Sequence, residues 1–126
     1  MKPIRLSLLA GAMIAALAAC SSMTTSNPAA DPSTADVTVT STDMVFDTET
    51  VTAAAGEFFT VALVNEDAMP HNIAIYTDDS ASEPLFVGDM VTDGTIAYEI
   101  DAMEAGEYFF RCDLHPEMTG TLVVEG

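Results

Sequence analysis

The stretch that decides the fold of this chain is Tyr108-Phe109-Phe110-Arg111-Cys112-Asp113-Leu114-His115-Pro116-Glu117-Met118-Thr119-Gly120. It joins a short aromatic run, which favours a buried strand, to three possible metal ligands with two residues between each, Cys112, His115 and Met118. Thiolate and thioether sulfurs are soft donors, and together with imidazole they suit copper better than zinc, calcium or magnesium. The stretch therefore predicts a strand that leads into a copper-binding loop.

A copper site with two imidazoles, one thiolate and a weak axial thioether needs a second histidine. The chain has two histidines in all, and the other one is His71, in the segment Met69-Pro70-His71-Asn72-Ile73. We therefore expect a site built from one distant histidine and one compact loop.

The length and charge of the chain limit the classes of function that it can have. With 126 residues it is expected to form one domain with a modest core. It has 20 acidic and 3 basic residues, a net charge of -17, and its one cation after residue 20 is Arg111. Such a surface repels nucleic acid and anionic membranes. It favours cationic partners or simply solubility, and the sequence leaves these two alternatives open.

The N-terminal residues 1–19 have the pattern of an export signal. Lys2 and Arg5 precede an apolar stretch, residues 6–17, that is too short to span a bilayer. The segment Leu17-Ala18-Ala19-Cys20 resembles the lipobox of bacterial lipoproteins, in which the cysteine is lipidated. We expect a membrane-anchored lipoprotein outside the cytoplasm, on the periplasmic or cell-surface side. Ordinary signal cleavage with an incidental Cys20 is the alternative.

Residues 20–35 are small, polar and interrupted by proline, and they predict a flexible tether before a folded domain at 36–126. If Cys20 is acylated, Cys112 is the remaining thiol of an exported domain, so no disulfide can form within the chain. A lone thiol in an oxidising compartment needs protection, and a bound metal provides it.

The folded part has the pattern of an all-β protein, because short β-branched and aromatic segments alternate with turns. Seven or eight such strands in about 90 residues predict a Greek-key β-sandwich. The segments 53–57 and 105–107 are predicted as turns. The predicted strand segments are 37–40, 45–46, 50–52, 58–65, 72–76, 85–87, 95–100, 108–112 and 119–125. The aromatic residues expected in the core are Phe46, Phe58, Phe59, Tyr98, Tyr108, Phe109 and Phe110.

Over residues 36–126 the chain resembles the cupredoxin family, the small blue-copper proteins that include plastocyanin and amicyanin. The resemblance rests on Ala55-Gly56-Glu57, which opens a strand that ends in Asn65, and on Pro70-His71-Asn72 and Ala105-Gly106-Glu107-Tyr108. Its most specific part is the segment from Cys112 to Gly120. The short interval between His115 and Met118, with Pro116 inside it, is similar to the ligand loop of amicyanin.

The resemblance implies one copper ion per chain, cycling between Cu(I) and Cu(II). His71, Cys112 and His115 are the implied equatorial ligands, and Met118 is the implied axial ligand. Asn72 is implied to adjust the properties of the copper site without binding the metal itself, by hydrogen bonding to the ligand loop or to the cysteine sulfur. An apolar rim around His115 is implied as the surface where redox partners dock; its members are Leu114, Pro116, Met69 and Pro70.

The function expected from this resemblance is that of a membrane-tethered, extracytoplasmic electron carrier, which is not an enzyme. The implied partners are a redox protein, such as a c-type cytochrome or a membrane oxidoreductase, and the lipid bilayer through Cys20. We expect a monomer that binds no nucleic acid.

Two other classes of function use the same types of residue: copper storage or delivery, and cysteine-based catalysis. A protein that stores or delivers copper without a redox partner remains an alternative. An enzyme with Cys112 as nucleophile is disfavoured, because no third residue that would orient the histidine stands at a recognisable spacing. A binuclear copper centre is excluded because it needs two bridging cysteines, and an oxidase with several copper sites needs more than two histidines.

Overall fold

The computed structural model describes residues 30–126 of the chain. This part contains nine β-strands and a short 3-10 helix at Pro32–Thr34, and it contains no α-helix. No helix in residues 30–126 is long and apolar enough to cross a membrane. The strands are β1 (Val37–Thr42), β2 (Val45–Phe46), β3 (Thr50–Ala54), β4 (Phe59–Asn65), β5 (Ala74–Tyr76), β6 (Pro84–Val87), β7 (Gly94–Ile100), β8 (Gly106–Arg111) and β9 (Thr119–Glu125).

The strands form two sheets, and the predicted all-β Greek-key sandwich is confirmed. One sheet has the order β2-β1-β4-β7, and the other has the order β3-β9-β8-β5-β6. β1 runs parallel to β4 and β3 runs parallel to β9, whereas the other paired strands are antiparallel. The described residues contain nine strands where seven or eight were expected, because the short predicted segment 45–46 is a separate strand, β2, which forms a hairpin with the end of β1.

The core lies between the two sheets, and in β1, β3 and the second half of β9 buried residues alternate with more exposed ones. In β3, Val51 and Ala53 are buried while their neighbours are exposed, as expected for a strand with one face on a core. Phe110 of β8 is 2% exposed, and its ring centroid lies 5.7 Å from that of Phe46 in the opposite sheet. This packing fixes β8 and β9 in place, and the loop that joins these two strands carries the predicted copper ligands.

Several details of the predicted core and strands are wrong. Phe109 was expected in the core but is half-buried and lies outside the core cluster. The turn predicted at 105–107 ends earlier, because β8 begins at Gly106. Phe58 was expected in the core but is 68% exposed, whereas Phe59 is 4% exposed. Adjacent residues of an extended chain point to opposite faces, so one of the pair has to face solvent, and composition does not indicate which one. The turn predicted at 53–57 begins later, because Ala53 and Ala54 continue β3 and pair with β9.

The strand predicted at 72–76 also begins later than expected, because β5 starts at Ala74. Asn72 lies before the strand and is fully buried. Its side-chain amide donates to the Gly88 carbonyl at 2.9 Å, so this residue connects two loops instead of lying within the sheet.

Within the segment predicted as a tether, Pro32–Thr34 form the 3-10 helix. The Asp31 carboxylate caps this helix by accepting a hydrogen bond from the Ser33 N–H at 2.9 Å. The signal peptide, Cys20 and most of the predicted tether lie outside the described residues.

The Asp36 carboxylate ties the start of β1 to β4 and gives the fold a predictable response to acid. It accepts hydrogen bonds from the Thr60 N–H at 2.8 Å and from the Thr60 hydroxyl at 2.9 Å. These bonds lower the pKa of Asp36 below its ordinary value of about 3.9. Because the pKa is lower in the folded state, this stabilisation is fully present above about pH 3.9 and is lost as the pH falls through the folded-state pKa.

We therefore expect Asp36→Asn to lower the melting temperature at pH 7 and to change it progressively less as the pH falls below about 4. The measurement is thermal unfolding of both proteins between pH 7 and pH 2.5. A difference in melting temperature that stays constant over this range would contradict the prediction.

Candidate metal centre

Three predicted ligand atoms converge at one end of the sandwich. The Nδ1 atoms of His71 and His115 are 3.0 Å apart, and the Cys112 Sγ lies 3.7 Å from each of them. The point equidistant from the three atoms is about 2.0 Å from each, which is the length of a bond from a transition metal to nitrogen and only slightly shorter than one to sulfur. Among the described residues, this is the group of histidine, cysteine and acidic side chains that can hold a metal ion.

The loop between β8 and β9 supplies Cys112, His115 and Met118, and its backbone is closed by its own hydrogen bonds. The Cys112 N–H donates to the Met118 carbonyl at 3.0 Å, and the Met118 N–H donates to the His115 carbonyl at 2.9 Å. The His115 N–H donates to the Cys112 carbonyl at 3.3 Å. The ladder of β8 and β9 ends at the pair Arg111 and Thr119, immediately outside this loop. The sheet therefore holds both ends of the loop, and the hydrogen bonds within the loop restrict its movement.

Met118 is a core residue as well as a predicted ligand. Its side chain is 2% exposed and belongs to the same buried cluster as Cys112 and Phe110. A buried thioether at this point of the loop suits a weak axial donor, because the surrounding core restricts its movement and excludes water.

His71 comes from the connection between β4 and β5, and its contacts with Val91 and Asp67 fix it. Its backbone exchanges two hydrogen bonds with Val91, at 3.0 and 2.9 Å. Its ring is fully buried, and the Nε2 atom lies 2.8 Å from the Asp67 Oδ2. Because Nε2 is engaged by a carboxylate, Nδ1 is the nitrogen that faces Cys112 and His115. Sequence reasoning did not find Asp67, which lies in an irregular loop where no periodic pattern marks it.

Asn72 links the two halves of the site. Its side-chain oxygen accepts a hydrogen bond from the Asp113 N–H at 2.9 Å, while its amide nitrogen donates to Gly88. Asp113 follows Cys112 directly, so this bond joins the histidine segment to the ligand loop. The side chain of Asn72 is thus satisfied on both sides, although it is fully buried.

The single cation of the described residues stands next to the site. Arg111 donates from Nε to the Asp113 carboxylate at 3.1 Å, and its guanidinium lies 5.0 Å from the centre of the Tyr76 ring. The Tyr76 hydroxyl donates to the same carboxylate at 2.6 Å, and this bond raises the pKa of Tyr76. These contacts hold the outer side of the ligand loop against β5.

The end of the sandwich that carries His115 exposes apolar side chains. Leu114 is 54% exposed and Met69 is 51% exposed, while Pro116 is exposed and Pro70 is half-buried. His115 itself is half-buried, unlike the fully buried His71 and Cys112. The rim predicted around His115 thus contains two large apolar residues that face solvent.

Cys112 is disfavoured as a catalytic nucleophile because it is buried, and not because a residue that orients the histidine is missing. Asp67 is a carboxylate that orients His71, so the third residue that seemed to be missing from the sequence is present. However, Cys112 and His71 are each 0% exposed, and the Nδ1 atom of the second imidazole lies 3.7 Å from the sulfur. A fully buried thiol is poorly placed to attack a substrate, whereas a metal ion fits among these three donors.

Asn65, which the sequence marks only as the end of a strand, has a role at the site that sequence reasoning missed. It is 2% exposed, and its amide donates to the carbonyls of Met69 and Val91, each at 2.8 Å. Its oxygen accepts from the Ser41 hydroxyl at 3.1 Å and from the Asp67 N–H at 2.8 Å. Asn65 therefore holds both backbone segments that position His71.

We expect Asn65→Ala to destabilise the metal-free protein by about 1–3 kcal/mol, because it removes four hydrogen bonds and takes the side-chain partner from the part-buried Met69 carbonyl and Asp67 N–H. Ser41→Ala is the matched control, since it removes only one of the four bonds and should cost about 1 kcal/mol or less. Urea unfolding of both variants measures the difference. Equal effects of the two substitutions would show that Asn65 does not organise the loop.

Together, the fold and the donor set define a class of protein. A β-sandwich that holds one thiolate, two imidazoles and a neighbouring thioether at one end is a small blue-copper protein, and copper is the metal that this soft donor set fits. Cys112 is the free cysteine among residues 30–126, so the site is suited to one ion and not to a binuclear centre.

Comparison with known proteins agrees with this class. The family model for the cupredoxin-like domain matches residues 11–124. The amicyanin of Paracoccus versutus is 43% identical over 82 residues, which cover 65% of this chain and 59% of that protein. The amicyanin of Paracoccus denitrificans is 38% identical over 66 residues, which cover 52% of this chain and 49% of that protein. The chain belongs to the cupredoxin family, although it spans only about half to three fifths of the length of these two relatives.

Solved structures show the same fold. The crystal structure of amicyanin from Paracoccus versutus has a TM-score of 0.58 and 35% identity, and the match covers 76% of this chain and 86% of that one. The dithionite-reduced auracyanin of Roseiflexus castenholzii has a TM-score of 0.63 at 20% identity, with 71% and 96% of the two chains covered. The auracyanin likeness concerns the fold alone.

Proposed function

We propose that this chain is a type 1 copper protein that carries single electrons outside the cytoplasm, and that His71, Cys112, His115 and Met118 are its copper ligands. The observation that carries the proposal is the compact triangle of two Nδ1 atoms and one Sγ, with sides of 3.0, 3.7 and 3.7 Å. The amicyanin relatives support it, because they match at 38–43% identity.

The contacts around the ligands restrict the movement of the donor atoms. When bound, copper supplies one-electron chemistry by alternating between Cu(II) and Cu(I). The ligand loop is closed by backbone hydrogen bonds, and His71 is held by Val91 and Asp67, so the donor atoms have little freedom to move. A site that changes little on gain or loss of an electron has a small reorganisation cost, as a carrier requires.

The proposed route for the electron is the half-buried His115, since the other two donors of the triangle are 0% exposed. The apolar rim that includes Leu114 and Met69 surrounds this end and suits a desolvated contact with a partner. The net charge of -17 favours a cationic partner, such as a basic c-type cytochrome, and would accelerate its approach at low salt.

The test mixes the copper-loaded protein with a reduced c-type cytochrome in a stopped-flow instrument. We expect oxidation of the cytochrome, reduction of the site and complete retention of copper. Leu114→Asp should slow the transfer, because it places a charge in the proposed contact. Leu85→Asp is the matched control, since Leu85 is exposed to a similar degree, 46% against 54%. Leu85 lies on β6 and lines a surface groove together with Met103 and Tyr108, so it is not part of the apolar rim.

One result would contradict the carrier function, and another would contradict the proposed docking surface. Release of copper to an acceptor without electron transfer would favour the alternative, a protein that stores or delivers copper. Equal slowing by Leu114→Asp and Leu85→Asp would show that the apolar rim is not the docking surface.

We also propose that the domain is tethered to a membrane as a bacterial lipoprotein. The support is the sequence alone: a signal peptide at 1–19, a lipidated Cys20, a tether at 20–35 and the copper domain at 36–126. Mass spectrometry of protein extracted from membranes is expected to show acyl chains on Cys20 as the first residue. Cleavage elsewhere, with Cys20 absent or unmodified, would refute this part of the proposal.

A further inference from the structure

The Asp67 carboxylate lies at the back of the copper site and is shared by three hydrogen-bond partners. Its Oδ2 atom is 2.8 Å from the His71 Nε2 and accepts from the Met44 N–H at 3.1 Å. Its Oδ1 atom accepts from the Asp43 N–H at 2.8 Å. The side chain is 14% exposed, so water has limited access to these bonds.

One side of this contact is a strained turn. Asp43 and Met44 connect β1 to β2 and have φ angles of 53° and 64°. A two-residue hairpin turn with both φ angles positive is the pattern of a type I′ turn, which favours glycine and asparagine. Methionine is an uncommon residue in this conformation. The carboxylate accepts from both N–H groups of the turn, and it therefore stabilises a conformation that the turn's own sequence does not favour.

The other side of the contact is the buried imidazole of His71. A carboxylate at 2.8 Å holds the proton of the neutral ring on Nε2, and this leaves the Nδ1 lone pair free to bind a metal. Asp67 is itself held in place, because its N–H donates to the Asn65 oxygen at 2.8 Å. A chain of buried and half-buried contacts thus runs from the β1–β2 turn through Asp67 to the metal-facing nitrogen.

We propose that Asp67 is a positioning residue for the metal: it fixes the ring nitrogen that His71 presents, ties that ring to the β1–β2 turn, and favours the more oxidised metal through its negative charge. The effect on oxidation state rests on the proposed electron-carrier function. The effect on the ring and on metal affinity does not.

The charge effect follows from the position of Asp67 relative to the other acidic residues. A carboxylate hydrogen-bonded to a ligand imidazole makes that imidazole a stronger donor, and this stabilises Cu(II) more than Cu(I). Neighbouring Glu66 is exposed, and its carboxylate is bonded to the Thr42 hydroxyl at 2.7 Å. Solvent and salt screen a charge in such a place, so it should have little influence on the metal.

The first test compares the reduction potentials of Asp67→Asn and Glu66→Gln, which make the same change in net charge at adjacent positions. Loss of a carboxylate behind a ligand histidine commonly weakens metal binding about 10–100-fold. If Cu(II) binding alone weakens tenfold, the potential rises by about 59 mV for a one-electron couple. We expect a rise of at least this size for Asp67→Asn and a much smaller one for Glu66→Gln. Equal shifts in the two variants would overturn the charge effect.

The second test needs no redox chemistry and uses the full chain loaded with Zn²⁺. We expect Asp67→Asn to raise the zinc dissociation constant at least tenfold, with Glu66→Gln within about twofold of the parent. Nitrogen-15 NMR of the zinc protein should show a proton on Nε2 of His71 that exchanges faster with water in Asp67→Asn. An unchanged exchange rate and unchanged zinc affinity would overturn the positioning role.

Two further variants keep the test decisive. Asp67→Glu retains the carboxylate and should restore part of the zinc affinity that Asp67→Asn loses. If Asp67→Asn unfolds, Met44→Gly is added, because glycine adopts a positive φ without strain and compensates for the lost support of the turn. Failure of the carrier proposal would leave the zinc result intact, whereas failure of the Asp67 proposal would leave the visible absorption of the copper protein intact, so the two outcomes are distinguishable.

Discussion

Replacing Cys112 with serine is expected to abolish the intense red-region absorption of the Cu(II)-loaded protein. That absorption arises from charge transfer between a thiolate and copper, and Cys112 is the thiol of the described domain. Serine has nearly the same size, and its hydroxyl would lie between the same two Nδ1 atoms, so the fold should persist. A hydroxyl is a harder and weaker ligand than a thiolate, and we expect the affinity for Cu(I) in particular to fall.

The measurement is the visible spectrum of each protein at one equivalent of Cu(II), with circular dichroism as the check on folding. Met103→Leu is a suitable control, because Met103 is a half-buried methionine that packs against the core and is not one of the predicted ligands. Its spectrum should equal that of the parent. Persistence of the red absorption in folded Cys112→Ser would contradict the assignment of Cys112 as a ligand.

Phe110→Ala is expected to destabilise the metal-free protein by about 3–5 kcal/mol, the usual cost of removing a fully buried aromatic ring from a core. The Phe110 ring contacts Phe46 across the sandwich, and β8 leads from it directly to Cys112. The ring also lies over Gly120, where an added Cβ would overlap it, so this neighbour has no side chain that could fill the cavity. With a total stability of roughly 5–15 kcal/mol for such a domain, this single change brings it close to unfolding.

Phe109→Ala is the matched control, because Phe109 is adjacent in β8 but half-buried and outside the core cluster. It should cost clearly less than Phe110→Ala. Urea unfolding without metal is the appropriate measurement, since a bound metal would add its own binding energy to the folded state. Similar losses for the two variants would show that the core is not centred on Phe110.

Much of the fold is predictable from the sequence because each strand is a short, locally encoded segment. The last strand is an example: the predicted segment 119–125 coincides with β9 (Thr119–Glu125). It is harder to predict which residues of a strand face the core when two similar residues stand next to each other at its start. Phe58 and Phe59 are chemically alike, and only the register of β4 against its neighbours decides that Phe59 faces the core.

The compact part of the site is predictable for a related reason. Cys112, His115 and Met118 lie within seven residues, so their spacing in sequence already limits their spacing in space. Asp67 and Asn65 could not be found in this way. Asp67 acts by joining the turn at Asp43 to His71, and Asn65 by joining Met69 to Val91, so their roles exist only after distant segments have packed together.

The most direct test of the account is a redox titration of the domain with copper counted at each step. One equivalent of Cu(II) should saturate the protein and produce the full red absorption. One equivalent of a one-electron reductant should remove that absorption, and reoxidation should restore it over repeated cycles with no copper lost to the buffer. A colourless complex, a requirement for a second equivalent of copper, or release of the ion on reduction would contradict a single-copper electron carrier.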